Sequence, residues 1–137
     1  MSTDNVEIVR RAYEAFNEEG SRGTLRFLHE DVVWDESALP ARKPGVLRGH
    51  EGILELARQN AELWLEIRAE VEEIVDAGEG RVLAFLRAVG RGRFTGEEVV
   101  LPLSHVWVLR DGKGVSVTLY LDPMRAREAA GLAEETA

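Results

Sequence analysis

From residue 67 to residue 121 the chain runs through four successive strand-patterned segments: IRAEVEEIV (67–75), RVLAFLRAV (81–89), VVLPLSHVWVL (99–109) and VSVTLYL (115–121). Aliphatic and aromatic residues dominate them, and turn-forming residues separate them. The last two flank Arg110-Asp111-Gly112-Lys113, whose Asp-Gly pair favours a tight hairpin turn and so sets them antiparallel. Ahead of this block the periodicity is helical. Val6, Val9, Tyr13 and Phe16 form one apolar stripe, and Gly20 ends it. Ser21 then caps a short second helix through Leu25, Phe27 and Leu28. Residues 32–37, VVWDES, make a further strand, and SALPARKPGVLR (37–48) reads as a loop. A third helix spans about Gly49 to Leu65, with Ile53, Leu56, Ala57, Asn60, Leu63 and Trp64 on its apolar face, and MRAREAAGL forms a short C-terminal helix. Helices followed by hairpin-linked strands mean an α+β fold, with helices on one face of a curved antiparallel sheet.

The 137 residues make a single domain, 1–137, large enough for a core without staples. With no cysteine, disulfides, thiolate catalysis and sulfur metal sites are excluded. Twenty-five acidic residues against 17 basic ones give a net charge of −8, a field that repels a phosphate backbone, so no nucleic acid is expected as a partner. The longest apolar runs fall far short of the roughly 20 residues that span a bilayer, so no membrane is expected either. The opening MSTDNVEIVRR is polar and of mixed charge, without the apolar stretch of a signal peptide, and points to a cytoplasmic location.

In VVLPLSHVWVL both alternating sets of side chains are largely apolar. A sheet with one wet face should alternate apolar with polar, so both faces are expected to be covered. The helices cover one; a second subunit on the outer face, hence a homodimer, is the economical cover for the other. By the same alternation His105 points opposite to Ser104, toward that outer face with Trp107. The histidines His29, His50 and His105 have no metal-ligand spacing and there is no H-E-x-x-H run, so no metal site is expected.

Within VVWDES, alternation sets Val32, Trp34 and Glu36 on one face and Val33, Asp35 and Ser37 on the other. If the Trp34 face points inward, Glu36 goes with it. A carboxylate in an apolar cavity holds its charge at a cost and becomes a serviceable base near neutral pH; the alternative is a solvated strand end, or a carboxylate paired with an arginine. Tyr13 lies on the apolar stripe of the first helix, and its hydroxyl, if buried, needs a partner in the protein or a ligand. Arg87 interrupts VLAFLRAV, and faces either inward, toward Glu36 or an anionic ligand, or outward to the surface or an interface.

NVEIVRRAYEAFNEEG, LHEDVVWDES, RGHEGILEL and HVWVLRDGKGVSVTLYLD, in this order and spacing, together resemble the nuclear transport factor 2-like superfamily, and among its members the SnoaL-like proteins related to ketosteroid isomerase and polyketide cyclases. The resemblance implies three N-terminal helices packed on a strongly curved, mainly antiparallel six-stranded sheet that forms a cone around a cavity. Matched to ketosteroid isomerase by motif, the helix-one tyrosine falls on Tyr13 and the proton-moving carboxylate on Glu36. The second acid falls on Ser104, in PLSHVW, and a cyclase-type aspartate in the last strand falls on Leu119. Neither of those positions carries a carboxyl group.

These expectations combine into a cofactor-free protein that holds a small apolar or partly polar ligand. Glu36, Tyr13 and Ser104 are the catalytic candidates, and Trp34, Arg87, Trp64, Val106, Val117 and Leu119 the pocket wall. The chemistry these residues suit is proton transfer: isomerisation, cyclisation or hydration, with Glu36 taking the proton and Tyr13 with Ser104 stabilising an oxyanion. The contrasting expectation is a non-catalytic binding or dimerisation module whose cone is filled by Trp34, Trp64 and Leu119.

Overall fold

The computed structural model describes residues 2–40 and 42–132. Helix α1 (Ser2–Glu19) leads through a 3-10 segment (Gly20–Phe27) into β1 (Leu28–Asp35). After the connection come β2 (Val46–Arg48), α2 (Gly49–Leu63), β3 (Trp64–Gly78), β4 (Arg81–Gly92), β5 (Glu98–Arg110), β6 (Lys113–Tyr120) and α3 (Pro123–Ala129). The six strands form one open sheet in the order β2-β1-β6-β5-β4-β3. Its four-strand half, β3 to β6, is antiparallel throughout, while β1 runs parallel to β6, so the sheet is mixed. The β5–β6 hairpin turns on Asp111 and Gly112, both at positive φ (53° and 78°), the conformation that an Asp-Gly pair accommodates in a two-residue turn.

Three features depart from the sequence expectation. The second helix is a 3-10 segment; Gly20 and Gly23 within eight residues disfavour a regular α-helix there. The third helix stops at Leu63, and Trp64 already belongs to β3. The stretch read as loop contains β2, a three-residue edge strand paired to β1 through Val33–Arg48, Trp34–Leu47 and Asp35–Val46.

The core lies between the sheet and the two long helices. Val9, Ala12 and Tyr13 of α1 and Ile53 and Leu56 of α2 are buried against Val32, Trp34, Val82, Ala84, Leu86, Leu103, Trp107, Val117 and Leu119. Full burial of an aliphatic side chain of this kind contributes about 1.5–3 kcal/mol. Asn17 ties α1 to the sheet: its amide accepts from the Ala69 N–H (2.7 Å) and donates to the Ala69 carbonyl (2.9 Å), which fixes the height at which Tyr13, one turn earlier, meets the strands. Part of the outer sheet face is covered by the chain itself, since Ala126 and Ala130 at the C-terminal helix pack on Leu83 and Val106. Asp122 caps that helix by accepting from the Met124 N–H at 2.9 Å. Among the described residues no helix is long and apolar enough to cross a membrane.

Candidate functional site

A cavity of about 160 Å³ lies between α1, α2 and the inner face of the sheet. Apolar side chains make most of its wall, among them Phe16, Leu56, Leu86, Leu103 and Leu119. At one end stand Trp64, Ile67 and the 45% exposed Val99, so this end meets solvent. There Trp64 packs over Gly90, where a Cβ would come within 2.7 Å of the indole ring; only glycine lets the tryptophan lie this close to β4.

Most polar groups of the cavity form two clusters, while Ser21, Thr24 and Arg68 stand apart on its wall. The first is built on Glu36, immediately beyond β1 and 7% exposed. Its Oε2 accepts from the Trp34 indole N–H at 2.8 Å, and its Oε1 accepts from Arg42 Nε at 2.9 Å. Arg42 also donates to the side-chain oxygens of Gln59 (2.9 Å) and Asn60 (3.1 Å) on α2. Both members of the Glu36–Arg42 ion pair are close to nine-tenths buried. The backbone supports this arrangement, since the Glu36 N–H donates to the Gly45 carbonyl at 2.7 Å and closes the connection between β1 and β2.

The second cluster is aromatic. The Trp107 indole N–H donates to the Tyr13 hydroxyl oxygen (2.9 Å), and that hydroxyl lies 2.7 Å from His105 Nδ1. The Tyr13 and His105 rings are stacked, with 3° between their planes, and Trp34 meets both His105 and Trp107 edge-on. Burial pushes the Tyr13 phenol well above its ordinary pKa, the bond from Trp107 opposing only in part. Burial also pulls the His105 imidazole down to about 4, against the opposing pull of the Glu36 charge, so the ring is neutral at pH 7. His105 Nε2 is buried and has no hydrogen-bond partner among the described residues.

Of the residues singled out from sequence, Tyr13, Trp34, Glu36, Trp64 and Leu119 line the cavity together. Four others do not. Ser104 and Val106 face the opposite side of β5; Val106 packs with Leu83, Ala126 and Ala130, and Ser104 stands in register with Phe85 and Tyr120. Arg87 also points outward, where it is exposed and pairs with Glu70 and, at longer range, Glu72. Val117 is inward but sits in the core, in register with Trp34 and Trp107, and does not reach the cavity wall. The physical cause is the phase of β5: Val99, Leu101, Leu103, His105 and Trp107 face inward, so Ser104 and His105 exchange the faces expected of them. Sequence reasoning missed His105 and Arg42. The phase was nevertheless readable, because the inward set is uninterrupted by small or charged residues except at His105, whereas the other set includes Pro102, Ser104 and Arg110. Arg42 lies in an irregular connection and left no periodic signal. Among the described residues, no three His, Cys, Asp or Glu side chains cluster so as to hold a metal ion.

Several solved structures share this architecture. TerC, co-crystallised with polyporic acid, superposes with a TM-score of 0.76 at 25% identity, covering 93% of this chain and 98% of its own. A nuclear transport factor 2-like protein of unknown function from Burkholderia pseudomallei K96243 gives 0.75 at 24% identity, over 91% of this chain and 95% of that one. A hypothetical protein with a ketosteroid isomerase-like fold from Catenulispora acidiphila DSM 44928, in complex with trimethylamine, gives 0.73 at 14% identity, over 93% and 94%. No curated protein matches the sequence. The model of the SnoaL-like domain matches residues 9–117, from α1 to β6, and the chain belongs to that family.

Proposed function

We propose that the chain binds a small, mostly apolar organic molecule, about the size of one six-membered ring, in the cavity between α1, α2 and the sheet. The observation that carries this reading is the cavity: about 160 Å³ under an apolar wall with a few polar groups at one side. An engineered cavity of roughly that volume lined by aliphatic side chains takes up benzene, and ligand sites combine an apolar wall with a small number of placed polar groups. That TerC has been crystallised with a small organic molecule supports the same reading. In a titration followed by chemical-shift changes, the wild-type protein is expected to bind ring-sized molecules such as toluene and cyclohexanone. Ala88→Phe, which fills the cavity from β4, should abolish the response. No response from wild type to any member of the panel sinks the proposal.

A catalytic reading is favoured by one specific feature, the buried carboxylate of Glu36 on the cavity wall. Each of its oxygens already accepts one bond, yet each keeps a second lone pair for a ligand proton. Proton exchange on carbon beside a carbonyl is the reaction this group would serve, with Arg42 and Trp34 holding it in place. Wild-type protein should then speed deuterium exchange into cyclohexanone and Glu36→Gln should lose that acceleration while still binding; equal rates in the two proteins remove Glu36 from any mechanism.

We infer further that a second copy of the chain covers the part of the outer sheet face beyond α3, where the exposed Val100 and Pro102 share a face with the Arg87–Glu70 pair. Sedimentation at micromolar concentration should show a dimer, and a monomer there would contradict it.

A further inference from the structure

Tyr13, Trp107 and His105 determine where the proton of the buried imidazole sits. An indole N–H can only donate, so the Tyr13 oxygen accepts from Trp107. The hydroxyl hydrogen of Tyr13 must then find an acceptor, and among the described residues the remaining partner of that hydroxyl is His105 Nδ1, at 2.7 Å. Were Nδ1 to carry a hydrogen and donate to the hydroxyl, the tyrosine's own hydrogen would be left unpaired in the core. The opposite arrangement pairs the indole N–H, the hydroxyl and Nδ1: Tyr13 donates to Nδ1, and the neutral ring carries its hydrogen on Nε2. That N–H is buried, on a side chain that lines the cavity, and no acceptor of the chain among the described residues pairs with it. A buried donor left without a partner is costly, and a ligand oxygen in the cavity would relieve that cost.

We propose that the Nε2–H of His105 anchors a neutral hydrogen-bond acceptor, such as a ketone, ester or ether oxygen, on the molecule held in the cavity; the proposal rests on the reading that this cavity takes a small organic ligand. The charges nearby narrow the class. Of the two arginines on the wall, Arg42 is engaged by Glu36, Gln59 and Asn60 and Arg68 by Glu70, so an anionic ligand finds no unpaired cation there, and the Glu36 carboxylate repels it. An ammonium group has no acceptor to offer Nε2. A carbonyl or ether suits the donor and carries no charge into an apolar wall.

The test compares cyclohexanone with methylenecyclohexane, which has the same ring and replaces the oxygen by a methylene group. Protein labelled with nitrogen-15 in histidine should show the hydrogen of His105 on Nε2, and the ketone alone should move that resonance while those of His29 and His50 stay in place. In His105→Phe the ratio of ketone to hydrocarbon affinity should fall roughly tenfold, the loss of one well-made buried hydrogen bond. If the ratio is unchanged in the variant, or the ketone binds without moving the Nε2 signal, His105 is not the anchor although the cavity still binds. If the hydrogen is found on Nδ1, the proposal also falls. Should neither probe bind wild type, the reading of the cavity fails, and this inference with it. The imidazole signal is read on wild-type protein, so the outcome does not depend on the variant folding.

Discussion

Arg42→Met is expected to destabilise the protein by about 3–5 kcal/mol, the cost of breaking a buried ion pair from one side. The side chain is only 10% exposed and Glu36 only 9%, so solvent cannot replace the lost guanidinium. Removing it leaves the Glu36 carboxylate with the Trp34 indole N–H as its remaining side-chain donor among the described residues, and Gln59 and Asn60 on α2 each lose the bond they accept from Arg42. Urea unfolding of four proteins measures this: wild type, Arg42→Met, Glu36→Gln and the double variant. The double variant should be more stable than Arg42→Met alone, because a neutral amide at position 36 is far cheaper to bury unpaired than a carboxylate. A cost below about 1 kcal/mol for Arg42→Met is the value of a solvent-screened surface pair, and would show that water reaches this ion pair. The same substitution should raise hydrogen exchange at the Glu36 amide, since Arg42 ties the β1–β2 connection to α2 and that amide bonds across the connection to Gly45.

The parts of the fold that were legible are those where one physical pattern repeats for long enough to be read. Each of the four long strand segments reappears as a strand, β3 to β6, with its ends moved by at most a few residues, because a strand pattern sustained over seven or more positions and a self-sufficient Asp-Gly turn leave little choice. What was not legible depends on partners far away in sequence. β2 is three residues long and becomes a strand only because β1 lies beside it. The parallel pairing of β1 with β6 joins segments some eighty residues apart and has no turn chemistry to announce it. In the site, Trp34 and Glu36 were placed together correctly by alternation within one strand. Ser104 was assigned inward because a motif match set the phase of β5, and the apolar character of the competing set, from Val99 to Leu109, was the better guide. The inward histidine, set among large apolar residues, is the polar exception in that set.

Acidification between pH 6.5 and pH 4 should weaken wild-type protein by about 3 kcal/mol through His105 alone. The groups facing this ring are the Tyr13 hydroxyl from α1, the indoles of Trp34 and Trp107, and the Glu36 charge, whose attraction for a proton is outweighed by the cost of charging a buried imidazole. In the folded protein the ring therefore stays neutral down to about pH 4, whereas in the unfolded chain it takes up a proton near 6.5. Across that window the unfolded state binds more protons, so stability rises with pH: it is whole above about 6.5 and is lost progressively as pH falls toward 4. A difference of about two and a half pKa units, at about 1.4 kcal/mol per unit, sets the size of the loss. Carboxylates contribute slopes of their own in acid, and His105→Phe separates them, because the variant keeps every other titrating group. Its stability at pH 7 is expected to be lower, since Tyr13 loses the acceptor for its hydroxyl hydrogen, but that offset does not vary with pH. Urea midpoints at pH 7, 6, 5 and 4 should thus converge for the two proteins as pH falls, wild type losing stability faster. Parallel curves would mean that His105 takes up its proton in the folded state as easily as in the unfolded one, and would overturn this account of the buried ring.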